Sequence, residues 1–354
     1  MVDYTSTFRV AAVQAEPVWF DAARTVDKTV ALISEAAGNG AQLIAFPEVW
    51  IPGYPYQIWV DSPMYGIANG YHTRYHQNSL TMDGPHVARL LQAAKDHEIA
   101  VVVGISEREG GSLYMTQLII GSDGALVAKR RKLKPTHVER SVYGEGDGSD
   151  IAVYELPFAR VGALNCWEHF QTLTKYAMFS QHEQLHVAGW PGMSLYQPHV
   201  HAFSAEAQVI ATRMYAMEGQ TFVACSTQVV TKATQDFFCQ TDEHRALIGY
   251  GGGFARIYGP GGEELATPLA ADDEGMLYGD IDLSMITIAK GAADPVGHYS
   301  RPDVFQLQFN QHANKVVNLV ETEQPAPLNL APPEPTEIDP VPAPRALESA
   351  AAVD

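Results

Sequence analysis

The chain has 354 residues, 46% hydrophobic and 18% charged, proportions ordinary for a soluble enzyme and enough to bury a large core. Its 41 acids against 23 lysines and arginines give a formal charge of -18, which argues against a nucleic-acid partner, because phosphate binding needs a basic face. No apolar run is long enough to span a bilayer, no basic-then-apolar leader opens the chain, and Cys166, Cys225 and Cys239 form no disulfide framework, so a cytoplasmic protein is expected.

Residues 8–14 read as a first strand. Asp21 is placed to cap a helix whose apolar face runs through Val26, Val30, Ile33 and Ala37, with Gly38 and Gly40 to end it. A second strand covers 42–46. Residues 49–82 are dense in Tyr, Trp, Pro and Gly with no steady period, and a connection of that length points to function. Val87, Leu90, Leu91 and Ala94 mark the next helix, and 99–105 the next strand. Residues 113–121 and 125–132 read as a hairpin about Ser122-Asp123-Gly124.

Strands at 151–156 and 159–165 follow, then a helix over about 168–180, a short strand at 186–190, a helix at about 203–218 and a strand at 221–227. Residues 252–257, 263–266 and 276–281 complete the strands. An α/β fold results, either two packed sheets covered by helices or one large mixed sheet. One domain is expected over 1–315. Over 316–354 the chain turns acidic and carries eight prolines between Pro325 and Pro344, a composition that cannot offset ordering entropy and reads as a disordered tail.

Three chemically useful side chains fall at strand ends. Cys166 follows the apolar run Val161-Gly162-Ala163-Leu164, Glu48 follows Leu43-Ile44-Ala45-Phe46-Pro47, and Lys132 ends the second arm of the hairpin. Carboxyl ends of strands in an α/β sheet gather at one edge, so a thiol, a base and an ammonium can meet there. A free carboxylate taking a proton from a free thiol works uphill by roughly 6 kcal/mol. Burial and a second carboxylate would raise the glutamate, and Glu139 is placed to be that carboxylate; Lys132 would lower the cysteine. The bland readings stand beside this one: a buried cysteine is more often a small hydrophobe, and a cationic run such as Lys129-Arg130-Arg131-Lys132 is usually a solvated face.

His169, three residues after Cys166, makes a Cys–His dyad the competitor, although orienting the loop by a hydrogen bond suits it better. His182-Glu183-Gln184-Leu185-His186 matches the zinc pattern H-E-x-x-H, which needs both histidines on one helical face. Here His186 opens a strand-like run, so the pair is expected to point apart and no metal is assigned. Gly251-Gly252-Gly253 lacks the G-x-G-x-x-G order of a dinucleotide site. Cys225 reads as core, and Cys239 is undecided.

Taken together, Phe46-Pro47-Glu48, Arg131-Lys132-Leu133-Lys134-Pro135-Thr136 and Asn165-Cys166-Trp167-Glu168-His169 resemble, in order, the base, lysine and nucleophile motifs of the nitrilase (carbon-nitrogen hydrolase) superfamily, over residues 8–301. The Cys-Trp-Glu-His form is similar to that of true nitrilases. Residues 167–178, the run Gly252-Gly253-Phe254-Ala255-Arg256-Ile257 and the run Asp294-Pro295-Val296-Gly297-His298-Tyr299 resemble the aliphatic branch. The resemblance implies a four-layer α-β-β-α sandwich, homo-dimers extending to spiral oligomers, and hydrolysis of a small-molecule nitrile to acid and ammonia with no cofactor. It implies Cys166 as nucleophile, Glu48 as base, Lys132 as charge stabiliser with the Trp167 N–H, and Glu139 as the additional carboxylate. Tyr54, Trp59, Trp167, His169 and Trp190 are the candidate pocket residues. An amidase or carbamoyl hydrolase, a cyanide dihydratase and a non-catalytic assembly protein are the alternatives.

Overall fold

Alternation along the strands sets the layering. In the computed structural model, which describes residues 3–315 and 317, β1 (Thr7–Ala15) sends Val10 and Ala12 to one face and Ala11 and Val13 to the other. The outer pair packs on helices α1 (Ala22–Gly38) and α4 (Pro85–Asp96), through Val26, Ile33, Val87 and Leu90. Asp21 caps α1 by accepting the Arg24 N–H at 3.0 Å.

Eleven further strands join β1: β2 (Leu43–Ala45), β3 (Ala100–Glu109), β4 (Ser112–Ile120), β5 (Leu126–Arg131), β6 (Tyr143–Gly144), β7 (Tyr154–Glu155), β8 (Arg160–Asn165), β9 (Leu185–Trp190), β10 (Phe222–Gln228), β11 (Arg256–Tyr258) and β12 (Gly275–Asp282). Nine of the twelve follow the hydrogen-bonded order β5-β4-β3-β2-β1-β10-β9-β8-β7, while β6 pairs with β4, β11 with β10 and β12 with β1. On the far side of β1, Val161, Ala163, Val187 and Ala224 join Val10, Ala12, Leu43 and Val102 in a single core, so the sheet folds over and its two halves stack. The outer face of the second half carries Leu164, Ala188 and Val223 against α5 (Thr172–Phe179) and α6 (Ala205–Gly219). Three apolar layers between helix, sheet, sheet and helix make the four-layer α-β-β-α sandwich, and both expected sheet arrangements hold at once: one hydrogen-bonded sheet, two stacked halves.

Several elements depart from the sequence reading. Residues 49–82 hold a 3-10 turn (Tyr56–Trp59) and two short helices, α2 (Pro63–Ala68), capped by the Ser62 side chain with Pro63 in its first turn, and α3 (Tyr71–Asn78). The expected strand at 252–257 shrinks to Arg256–Tyr258, since Gly251 and Gly252 adopt left-handed backbone. Residues 263–266 contribute only a bridge from Glu264 to Tyr258. The strand expected at 151–156 shrinks to Tyr154–Glu155 behind a 3-10 turn. Three helices are additional: α7 (Lys232–Phe238), α8 (Asp242–Leu247) and α9 (Ser284–Ala293). Met1–Asn314 groups as one unit; the acidic, proline-rich 316–354 segment lies, but for Val317, outside the described residues.

Candidate active site

β2, β5 and β8 all run in the same direction, so Glu48, Lys132 and Cys166 leave the sheet at one edge. The Glu48 turn is tight: Val49 has φ +45°. It lies so close to β3 that a Cβ at Gly104 would stand 2.3 Å from the Pro47 carbonyl oxygen and 2.6 Å from the Val49 nitrogen. Gly189 of β9 likewise leaves room on the other side; a Cβ there would be 3.1 Å from both the Glu48 nitrogen and Asn165 Oδ1.

Lys132 Nζ donates to Glu48 Oε1 and to Glu139 Oε2, both at 2.8 Å, and all three side chains are buried. Glu139 also accepts the Thr136 N–H at 2.6 Å and the Tyr54 hydroxyl at 2.8 Å, and Tyr54 accepts the Trp59 indole N–H at 2.9 Å. Tyr54 and Trp59 thus brace the second carboxylate. Glu48 Oε2 is buried and has no hydrogen-bond partner among the described residues, so this carboxylate keeps one free acceptor.

Cys166 opens a 3-10 turn (Cys166–Phe170) directly after β8, with φ +48°, a left-handed conformation costly for a residue with a Cβ. His169, read from the sequence as orienting this loop, does so through Nδ1 at 2.6 Å from the Cys166 carbonyl oxygen, but the ion pair that also holds the turn was not read from the sequence. Arg130 grips Glu168 through two buried hydrogen bonds of 2.6 and 2.7 Å, and Glu168 in turn accepts the N–H of Asn165 and of Leu133. Arg130 also donates to Gln117 Oε1 at 3.1 Å, and Gln117 reaches across the sandwich to the Leu164 carbonyl at 3.4 Å. The Lys132 loop and the Cys166 turn are therefore tied to one ion pair. Arg130 belongs to a run that reads as surface, yet it is buried and stays charged: burial works against the charge, but Glu168, then Asp150 and Tyr154, raise it above its ordinary value.

The protonation states follow from burial. It raises Glu48 to about 8, with Lys132 pulling down and Glu139 pushing up. It also raises the Cys166 thiol, reinforced by Glu48 and opposed by Lys132 and the Trp167 N–H. Lys132 stays cationic: burial works against it, but Glu139 and then Glu48 raise it above its ordinary value. The thiol therefore holds its proton.

Trp59 stacks on His137 at 5.9 Å and meets Phe203 edge-on at 5.1 Å, and Phe203 lies 5.4 Å from Trp167. This aromatic collar links the Glu139 side to the Cys166 side; His137 and Phe203 were not singled out from the sequence. A cleft of about 330 Å³ opens beside it, lined by Thr136, His137, Trp167 and Phe170. His169 and Trp190 sit elsewhere, stacked on each other at 5.0 Å behind the nucleophile turn, with both ring nitrogens of His169 engaged. That placement makes His169 a support for the turn rather than a wall of the pocket. The H-E-x-x-H pair is split as its periodicity implies: His182 is exposed in the loop after α5, His186 buried on β9. Cys225 is buried under α6, and Cys239 is buried among aromatic residues near α7.

A sequence model of the carbon-nitrogen hydrolase family matches residues 9–290. The chain is 74% identical over 318 residues to an aliphatic nitrilase of Rhodococcus rhodochrous, covering 90% of this chain and 87% of that protein. A second aliphatic nitrilase of Rhodococcus rhodochrous is 52% identical over 327 residues, 92% and 85% of the two chains. The crystal structure of a carbon-nitrogen hydrolase from Helicobacter pylori G27 superposes with a TM-score of 0.67 at 15% identity, covering 86% of this chain and 98% of that one, a likeness of fold. With the motifs, the sandwich and these relatives in agreement, the chain belongs to the carbon-nitrogen hydrolase family.

Proposed function

We propose that this protein hydrolyses an aliphatic nitrile to the carboxylic acid and ammonia, with Cys166 as nucleophile. The observation that carries the reading is the sealed Glu48–Lys132–Glu139 cluster beside a thiol presented on a strained turn. The names of the two Rhodococcus relatives support the nitrile as substrate.

The free Oε2 of Glu48 takes the Cys166 proton as sulfur adds to the nitrile carbon, and the proton passes to nitrogen to give a thioimidate. Lys132 and the Trp167 N–H face the negative charge that develops on nitrogen, and later on oxygen. Glu48 then deprotonates water, which adds to the thioimidate carbon. The C–N bond breaks as ammonia leaves, and a second water splits the thioester to release acid and thiol. Glu139 holds Lys132 in place between the two acids. No cofactor enters the scheme. The cleft next to Trp167 and the aromatic collar is the substrate's route, with Trp167 and Phe170 as the apolar surface for a small neutral group among largely polar walls.

The working compartment is the cytoplasm, supported by three buried free thiols. The working form is a homo-dimer that extends to a spiral oligomer. Ile210, Met214 and Met217 stand exposed at helical spacing on α6, with Leu173 of α5 exposed as well, an apolar face suited to a second copy. Ammonia release from paired short nitriles and amides, with intact-protein mass spectrometry to catch an adduct, tests the reaction. Cys166→Ala is expected to abolish both signals; ammonia release at the original rate would overturn the assignment. Release from amides alone would replace nitrile hydrolysis by amide hydrolysis on the same residues.

A further inference from the structure

Behind the nucleophile turn lies a second set of buried titratable groups that the proposed chemistry does not use. His169 Nδ1 stands 2.6 Å from the Cys166 carbonyl oxygen, and its Nε2 lies 3.0 Å from Nε2 of His186. His186 Nδ1 is 2.7 Å from Glu183 Oε1, and the Tyr215 hydroxyl donates to Glu183 Oε2 at 2.6 Å. All four side chains are buried. Gly162 of β8 makes the space, since a Cβ there would stand 1.9 Å from Glu183 Oε1.

Counting protons along this chain gives its state. A carbonyl oxygen only accepts, so His169 must donate from Nδ1. A neutral imidazole has one N–H; Nε2 of His169 therefore accepts, and His186 must donate from Nε2. Neutral His186 then accepts at Nδ1, and the remaining hydrogen has to come from Glu183. Three hydrogen bonds need three protons, and two neutral imidazoles supply two. An ionised Glu183 with two neutral histidines would leave lone pairs facing each other somewhere in the row.

The third proton could also make one histidine cationic, and the surroundings oppose that. Burial first, then His186 and Lys175 of α5, disfavour a charged His169, against the Cys166 carbonyl and Glu168. Burial and then Arg130 of β5 disfavour a charged His186, with Glu168 opposing. Burial raises Glu183 to about 8, and only the Tyr215 hydroxyl of α6 pulls it back.

We propose that Glu183 is held as a neutral carboxylic acid, and that Glu183, His186 and His169 are positioning residues whose filled row of protons fixes the Cys166 carbonyl and so the orientation of the nucleophile turn. Loss of the Glu183 proton leaves the row one proton short, so one of its three links fails and the Cys166 carbonyl is no longer held by a complete row. The H-E-x-x-H run thus has a use without metal: its glutamate and second histidine orient the thiol's backbone. The effect on turnover rests on Cys166 being the nucleophile; the proton count does not.

Two measurements test it. Selective ¹⁵N labelling of imidazole in the wild-type protein at neutral pH should show His169 as the Nδ1–H tautomer and His186 as the Nε2–H tautomer; His186 protonated at Nδ1 would overturn the proposal whatever the activity. Second, kcat in the wild type should fall by about tenfold as pH rises past the Glu183 value, with KM little changed. In Glu183→Gln, whose amide donates to His186 at every pH and still accepts from Tyr215, that falling limb should vanish while the rising limb from Glu48 stays. A falling limb unchanged in Glu183→Gln would refute the positioning role. If Cys166 proves not to be the nucleophile, the tautomer result still stands or falls separately.

Discussion

Replacing Glu139 with Gln probes the charge balance on which the base depends. Lys132 Nζ holds Glu48 Oε1 and Glu139 Oε2 at 2.8 Å each, so those oxygens are at most about 5.6 Å apart, the sum of the two contacts. Two unit charges at that separation repel by about 3 kcal/mol at an effective dielectric of ~20, equivalent to about two pKa units. Glu139 is one of the groups holding Glu48 up near 8, so Glu139→Gln lets Glu48 lose its proton more easily. A base that ionises more easily works at lower pH. The rising limb of kcat/KM should therefore move acidward by about one to two units. The plateau should fall too. Thr136 N–H and Lys132 both claim the atom at Oε2, which leaves the amide nitrogen facing a Tyr54 hydroxyl that already takes the Trp59 N–H. A loss of about 10²–10³ in kcat is expected for a disturbed electrostatic group. Initial rates of ammonia release from a short aliphatic nitrile across pH 5 to 10 measure both effects. A limb that stays put, or moves alkaline, would show that the two carboxylates do not share the lysine during turnover.

Other perturbations reach different parts of the site. Glu168→Gln leaves Arg130 charged and buried without its partner, and should cost about 3–5 kcal/mol in chemical denaturation with loss of Cys166 reactivity toward a thiol reagent. Gly104→Ala drives a methyl into the backbone on both sides of Glu48; about 1–3 kcal/mol of stability should go, and kcat should drop further than the melting point implies. Stability itself should respond to pH. Glu48 and Glu183 both have folded values raised to about 8, so each favours the folded state while protonated, and that contribution is lost as pH rises from about 4.5 through 8. Denaturant midpoints that climb over that interval would contradict the assigned states.

Much of this was legible in the chain because it is local. Alternation at residues 8–14, the Asp21 cap and the hairpin about residue 123 depend on neighbours in sequence, and their strands and helix appear within one or two residues of expectation. Glu48 and Cys166 were legible for the same reason, each following an apolar run that could only be buried, whereas Lys132 ends a cationic run and stood out only by its place at the end of the hairpin arm. Arg130 and Glu168 were not, since nothing local distinguishes a buried arginine from its neighbours Lys129 and Arg131, and the partner lies 38 positions away. His137 and Phe203 escaped likewise: their value comes from meeting Trp59, a contact made only when segments from both halves of the sandwich converge.

Strand direction alone does not bring lysine and thiol together. In the hydrogen-bonded order β5 stands at one end of the path and β8 next to the other, so in a flat sheet Lys132 and Cys166 would be separated by six intervening strands. They meet because the sheet doubles over its own apolar face. The polar row Leu164 carbonyl–Gln117–Arg130–Glu168 then fixes the register of one half on the other. Apolar packing in that core is non-directional and would tolerate small slips. A two-point guanidinium–carboxylate contact tolerates much less. The register that matters for chemistry is thus set by an ion pair that never touches the substrate. Glu168 carries this role doubly, because the same carboxylate takes the Asn165 N–H just before the nucleophile and the Leu133 N–H just after the lysine. Replacing Arg130 and Glu168 together by methionines removes the buried charges without leaving one unpaired, so stability should return toward wild type while turnover stays low. Full recovery of turnover in that double variant would mean that apolar packing alone keeps the two halves aligned.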